Sequence, residues 1–152
     1  MRIEKDFKEF FELLNKNDVQ YLIEGGFAYS FYAEPRYTKV IDIFISTANQ
    51  NLQKIIKSIE EFGFKNIGLT VEDFKKENNV IQLGYPPIRI DILTTLTGLT
   101  FQSAWINKIE GHYGKTKVYF ISIDDLIQNK KITGRDQDLV DIKYLEKISS
   151  KV

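Results

Sequence analysis

Two segments of this chain repeat their apolar residues with a period of two, and that pattern commits both to β-strand. In Val40 to Ile45, Ile41, Ile43 and Ile45 alternate with Val40, Asp42 and Phe44; in Ile88 to Leu93, Ile88, Ile90 and Ile92 alternate with Arg89 and Asp91. Successive side chains of a strand point to opposite faces, so each segment sets one aspartate against its isoleucines. Laid side by side, two such strands bring Asp42 and Asp91 together. A lone aspartate on a solvated strand face is an ordinary surface charge. A pair is a donor set for a hard divalent cation such as Mg²⁺, which takes a few carboxylates and completes its shell with water and phosphate oxygens.

Helix and strand patterns alternate around these two segments. Phe7, Phe10, Phe11 and Leu14 recur at helical spacing, giving an amphipathic helix over about Ile3 to Leu14 that ends in the Asn15 to Asp18 cluster. Val19 to Ile23 reads as a strand stopped by a turn at Gly25-Gly26, and Phe27 to Tyr32 as a short helix closed before Pro35. Leu52, Ile55, Ile56 and Ile59 mark a second amphipathic helix, ended at Gly63, and Phe64 to Leu69 is a weak strand or a connector. Val80 to Leu83 pairs with Ile88 to Leu93 around Gly84-Tyr85-Pro86-Pro87 as a hairpin. Lys117 to Ile121 is the last strand, Ile123 to Lys131 a helix capped by Ser122 or Asp124, Thr133-Gly134 a break and Asp136 to Ile148 the closing helix. Gly111-His112-Tyr113-Gly114 reads as loop, and Trp105 as core. The expected class is α/β (α+β), a mixed β-sheet covered by helices, in one domain spanning 1–152.

Composition removes several kinds of chemistry. There is no cysteine and a single histidine, His112, so thiolate zinc sites, cysteine nucleophiles and histidine-rich metal sites are excluded; any metal must use oxygen ligands. Basic and acidic residues both number 21, which leaves no overall field to draw in nucleic acid or an anionic membrane, so a polyanion must be held by a local patch. Arg2, Glu4, Lys5, Asp6, Lys8 and Glu9 stand where a secretory signal needs an apolar run, and the expectation is a soluble, cytoplasmic protein without membrane partners.

Three local features bear on a phosphate ligand. Gly25-Gly26, between a strand and a helix, lets bare backbone approach a phosphate at a helix N-terminus; it is equally a plain tight turn. Arg36, Thr38 and Lys39 precede Asp42 directly. Lys130, Lys131 and Arg135 form a basic cluster near the C-terminus, which is either a solvated helix face or a phosphate clamp, with Asp138 and Asp141 placed to orient the cations.

Taken together, Tyr21-Leu22-Ile23-Glu24-Gly25-Gly26-Phe27-Ala28, Arg36-Tyr37-Thr38-Lys39-Val40-Ile41-Asp42, Arg89-Ile90-Asp91-Ile92 and the ending Asp125 to Asp141 resemble the nucleotidyltransferase superfamily with its DNA polymerase beta-like fold. The likeness is in particular to the small bacterial nucleotidyltransferases of type IV toxin–antitoxin systems. It implies attack of an acceptor hydroxyl on the α-phosphate of a nucleoside triphosphate, with Asp42 and Asp91 as metal ligands for Mg²⁺ or Mn²⁺ and Asp91 near the nucleophile. Gly25, Gly26, Arg36, Thr38, Lys39, Lys131 and Arg135 would bind the nucleotide, and Lys130 would neutralise triphosphate charge. The acceptor would be an RNA end, a hydroxyl amino acid of a partner protein or a small molecule.

One position departs from the pattern: the family has aspartate where this chain has Val40. Residues 40 and 42 share a strand face about 6.6 Å apart, at about 3.3 Å per residue, so two aspartates there share metal ions and valine does not. The departure fits a disabling change in an active-type sequence, a relative retained as a binding module such as an antitoxin or partner-binding subunit, or an offset in matching. A one-residue offset would turn Asp42 towards the isoleucine face.

Overall fold

A computed structural model describes residues 4–36, 38–64, 67–76, 80–85 and 88–150. Ile3, Tyr37 and the Pro86-Pro87 turn fall outside the described residues. In chain order the elements are α1 (Lys5–Lys16), β1 (Tyr21–Glu24), α2 (Gly25–Tyr32), β2 (Val40–Ile45), α3 (Asn49–Glu61), α4 (Val71–Lys75), β3 (Val80–Tyr85), β4 (Ile88–Leu93), α5 (Phe101–Ile106), β5 (Ile109–Tyr113), β6 (Thr116–Phe120), α6 (Ile123–Thr133) and α7 (Asp136–Ser149). None of the described helices is long and apolar enough to cross a membrane.

The six strands form one mixed sheet in the order β3-β4-β2-β1-β6-β5. Strands β2 and β4 run parallel, as do β1 and β6, while β1/β2, β3/β4 and β5/β6 are antiparallel. Strand β2 thus lies between β1 and β4, and its register aligns Glu24, Asp42 and Asp91 in one row across three strands. The alternation of β2 is kept: Ile41, Ile43 and Ile45 are buried on one face, and Phe44 closes the far end of the carboxylate face.

Apolar burial drives the layering. Helix α1 buries Phe7, Phe10, Phe11 and Leu14, and Phe7 meets Phe27 of α2 edge-on at 5.9 Å between ring centroids. On the other side of β2, Phe44 meets Phe101 of α5 at 5.3 Å, and Phe101 stacks on the half-buried Trp105.

Two sequence expectations change, one open alternative closes and one element is new. Gly25-Gly26 is not a separate turn: Gly25 adopts φ +67°, open to glycine at little cost, and the chain passes from β1 straight into α2. Of the two readings of Phe64–Leu69, strand or connector, the connector holds: it contains no described strand, and α4 follows it. Short α5 was not expected; the Thr100 hydroxyl caps it by accepting the Ser103 N–H. His112 lies in β5 rather than in a loop, because β5 is an edge strand that buries only Gly111 and Tyr113 and so lacks a long apolar signal.

Candidate functional site

At the end of the sheet where β1 runs into α2, a cleft of about 650 Å³ opens between the sheet and the α6–α7 pair. Its sheet wall carries Glu24, Gly25, Gly26 and Asp42; its helical wall carries Asn129, Lys130, Thr133, Arg135, Asp138 and Asp141, with Arg36 also on the rim. Leu93, Leu96 and Leu126 make an apolar part of the lining.

The helical wall is a chain of alternating charges. Asp138 and Asp141, each 1% exposed, lie three residues apart on α7 and face Lys130 of α6, whose ammonium reaches them at 3.3 and 3.0 Å. Arg36 holds Asp141 by two hydrogen bonds of 2.7 and 3.2 Å while lying 4.0 Å over the Tyr29 ring. The Arg135 guanidinium donates to Asp138 at 2.8 and 3.3 Å, and the Thr133 hydroxyl donates to the same carboxylate at 2.9 Å. Gly134, in the left-handed conformation at φ +63°, makes the sharp link between α6 and α7 that this convergence needs. Burial pushes the Asp138 and Asp141 carboxyls up. The stronger opposing effect is hydrogen bonding, from Arg135 and Thr133 to the first and from Arg36, Lys130 and Gln137 to the second, and both carboxyls are held below the usual range.

The sheet wall is electrostatically the reverse. Burial, with Asp91 beside it, raises the Asp42 carboxyl to about 6, and burial, with Asp42 beside it, raises Glu24 to about 7. Gly25 lies so close that a Cβ there would collide with Asp42 Oδ2. Asp91 adjoins Asp42 in register but is not part of the cleft lining: Arg89, two residues before it on the same strand face, grips both of its oxygens at 2.8 and 3.1 Å. Val40 is the direct register neighbour of Arg89.

The sequence-predicted residues therefore divide. Gly25, Gly26, Arg36, Asp42, Lys130 and Arg135 are brought to one cleft, although some are a hundred positions apart. Asp91 lies beside it. Thr38 turns to the backbone, donating to the Val40 carbonyl at 2.8 Å close to Gly26; Lys39 is exposed outside the lining; Lys131 points away to Glu146 at 3.0 Å. Sequence reasoning missed Glu24, Thr133, Gln137 and Tyr29. For Glu24 there was a signal: it ends an apolar run directly before the glycine pair, although only the strand register puts it next to Asp42.

A pair of Mg²⁺ ions shared by positions 40, 42 and 91 does not fit these residues, since Val40 has no donor and Asp91, held at both oxygens by Arg89, lies outside the cleft lining. Among the described residues no group of three or more acidic or histidine side chains is arranged to hold a metal ion. A single divalent cation does fit the sheet wall, because Mg²⁺ is commonly held by one or two carboxylates with phosphate oxygens and water, and Glu24 and Asp42 both line the cleft, the Asp42 carboxylate lying against the bare backbone of Gly25.

No protein-family model and no curated protein matches this sequence. Solved structures do resemble it. The lincosamide antibiotic adenylyltransferase LnuA, lincomycin-bound, matches with a TM-score of 0.59 at 21% identity, over 95% of this chain and 97% of its own. A Thermotoga maritima protein assigned to the nucleotidyltransferases matches with a TM-score of 0.59 at 14% identity over 90% and 88%. An antigenic nucleotidyltransferase-like protein from Paracoccidioides brasiliensis matches with a TM-score of 0.57 at 15% identity over 94% and 77%. These likenesses do not single out the toxin–antitoxin branch. With the mixed sheet, the Asp42–Asp91 row and the glycine-led helix on the page, they show that this chain has the nucleotidyltransferase fold.

Proposed function

We propose that this protein binds a nucleoside triphosphate in the 650 Å³ cleft and transfers its nucleotidyl group to an acceptor hydroxyl. The observation that carries the reading is the convergence, within a nucleotidyltransferase fold, of a helix N-terminus, Asp42 and three basic side chains on one cleft. The backbone of Gly25-Gly26 opens α2 and offers N–H groups to the terminal phosphates. Arg36 and Arg135 keep guanidinium donors for phosphate while Asp141 and Asp138 fix their direction; bidentate recognition of this kind is what arginine does best. Lys130 is 7% exposed and sits behind both, so its part is to hold the clamp together and lend it charge. In the reaction the acceptor oxygen bonds to the α-phosphorus, the bond from that phosphorus to the α–β bridging oxygen breaks, pyrophosphate leaves and the hydroxyl proton passes to water. Asp42 would hold a Mg²⁺ or Mn²⁺ ion, which when bound would supply polarisation of the phosphate and a lower pKa for the acceptor hydroxyl.

For the acceptor we favour a small hydroxylated molecule over an RNA end or a protein. The support is the match to an antibiotic-modifying adenylyltransferase over nearly the full length of both chains, together with the leucines in the cleft lining. We place the protein in the cytoplasm, where nucleoside triphosphates are available. Val40 and the Arg89–Asp91 pair support a second reading, a fold kept as a nucleotide- or partner-binding module with transfer impaired.

Thermal unfolding with each nucleoside triphosphate and Mg²⁺ tests the first part. A ligand at about 100 times its dissociation constant should stabilise the protein by about 2.7 kcal/mol, and no shift with any triphosphate would leave only the partner-binding module. Transfer of labelled nucleotide to a panel of hydroxylated small molecules, to RNA and to a protein lysate tests the second part.

A further inference from the structure

Among the described residues, the cleft carboxylates without an ion pair both lie on its sheet wall, with Lys130 and Arg135 the nearest cations across the cleft. On the helical wall three basic groups answer two aspartates, and Asp91 has Arg89. Glu24 and Asp42 face each other as direct partners of β1 and β2, both line the cleft, and among the described residues neither forms an ion pair. Glu24 is 7% exposed, and the backbone of Gly25 donates to its carboxylate. Directly opposed carboxylates on adjacent strands have Cβ atoms about 5 Å apart, close enough for both to bind one cation with oxygen bonds of about 2.1 Å. Like charges on the buried Glu24 and the half-buried Asp42 repel, and the missing Cβ of Gly25 lets Asp42 Oδ2 lie against bare backbone at the start of α2.

We propose that Glu24 takes over the metal-ligand duty absent at Val40, so that Glu24 and Asp42 together hold one divalent cation of the Mg²⁺ class at the mouth of α2. The site moves by one strand, from the β2/β4 side of Asp42 to the β1/β2 side. Asp91, locked by Arg89, becomes a positioning residue that keeps β4 against β2 rather than a ligand. The proposal rests on the nucleotidyltransferase reading only in that substrate phosphate oxygens complete the shell.

Mn²⁺ alone is the probe, titrated into the whole chain. Its paramagnetic broadening of backbone amide signals should be strongest at Gly25 and Asp42, and its electron spin resonance signal should report one bound ion. Glu24→Gln should weaken that binding by at least about 10-fold, since removing even an indirect partner of a metal ligand costs that much; Asp91→Asn should change it far less. Broadening centred on Asp91, no broadening, or equal affinity in Glu24→Gln overturns the proposal, and the broadening map needs no variant to fold. Triphosphate stabilisation that persists in EDTA without Mn²⁺ broadening at Gly25 removes the cation site and spares the nucleotide-binding reading. Broadening at Gly25 with no stabilisation by any triphosphate does the reverse.

Discussion

Gly25 illustrates how one residue couples backbone to chemistry. Its φ of +67° is costly for other residues, and a Cβ would meet the Asp42 carboxylate, so Gly25→Ala meets both a conformational and a steric penalty. Strain of this kind costs about 1–3 kcal/mol, and urea unfolding of the variant should show at least that loss. The carboxylates beside it set an unusual pH dependence. Glu24 and Asp42 have folded-state values of about 7 and about 6, above their ordinary values, so between about pH 4 and pH 7 the folded protein binds more protons than the unfolded chain. Stability in the absence of divalent cation must therefore fall as pH rises across that window. Denaturant midpoints measured from pH 4 to 8 should show the fall, and Glu24→Gln should flatten it. Asp138 and Asp141 work in the other direction: held below their ordinary values, they contribute stability that is present above about pH 4 and is lost in acid.

Helices α6 and α7 are joined by charge as much as by apolar packing. Ile127, Ile142 and Leu145 are buried, but so are Lys130, Asp138 and Asp141, and the ammonium is what the two carboxylates share. Removing one partner of a buried ion pair costs about 3–5 kcal/mol because the remaining charge is left uncompensated. Lys130→Met should destabilise by that order in urea unfolding and disorder the Arg36 and Arg135 clamp. Lys131→Ala, next door but pointing to exposed Glu146, should leave both stability and nucleotide affinity unchanged, since exposed pairs contribute little. Arg135, three-quarters exposed beside the cleft, separates clamp from scaffold: Arg135→Ala should weaken triphosphate binding and reduce its salt dependence while the fold persists. Equal affinity for the triphosphate in that variant would end its role as a phosphate clamp.

Across the whole molecule, the decisive variant is Val40→Asp. It restores a carboxylate two residues from Asp42 on the same strand face, directly beside Arg89 in register. If transfer is impaired by the missing ligand, labelled-nucleotide transfer should rise by at least about 10-fold in Val40→Asp; equal transfer by both proteins would fit a cation held by Glu24 and Asp42, and equal and silent traces would favour the binding module. Much of the fold leading to this test was legible in local sequence. The bounds of β2, the isoleucine alternation of β4 and the amphipathic faces of α1 and α3 follow from periodicity, because burial of one face is a local, repeating demand. Short α5 and edge strand β5 were not legible, having too few buried positions to show a period. Residue type and order also put Asp42, the glycine pair, Arg36, Lys130 and Arg135 among the candidates that the fold gathers at one cleft, together with Lys39 and Lys131, which it leaves outside. Only tertiary structure decided that Arg89 closes on Asp91, that Lys131 leaves the cleft while Lys130 enters it, and that Glu24 stands against Asp42. Those outcomes depend on strand register and helix rotation, which are set by packing between segments distant in sequence, and no local pattern encodes which carboxylate meets which cation.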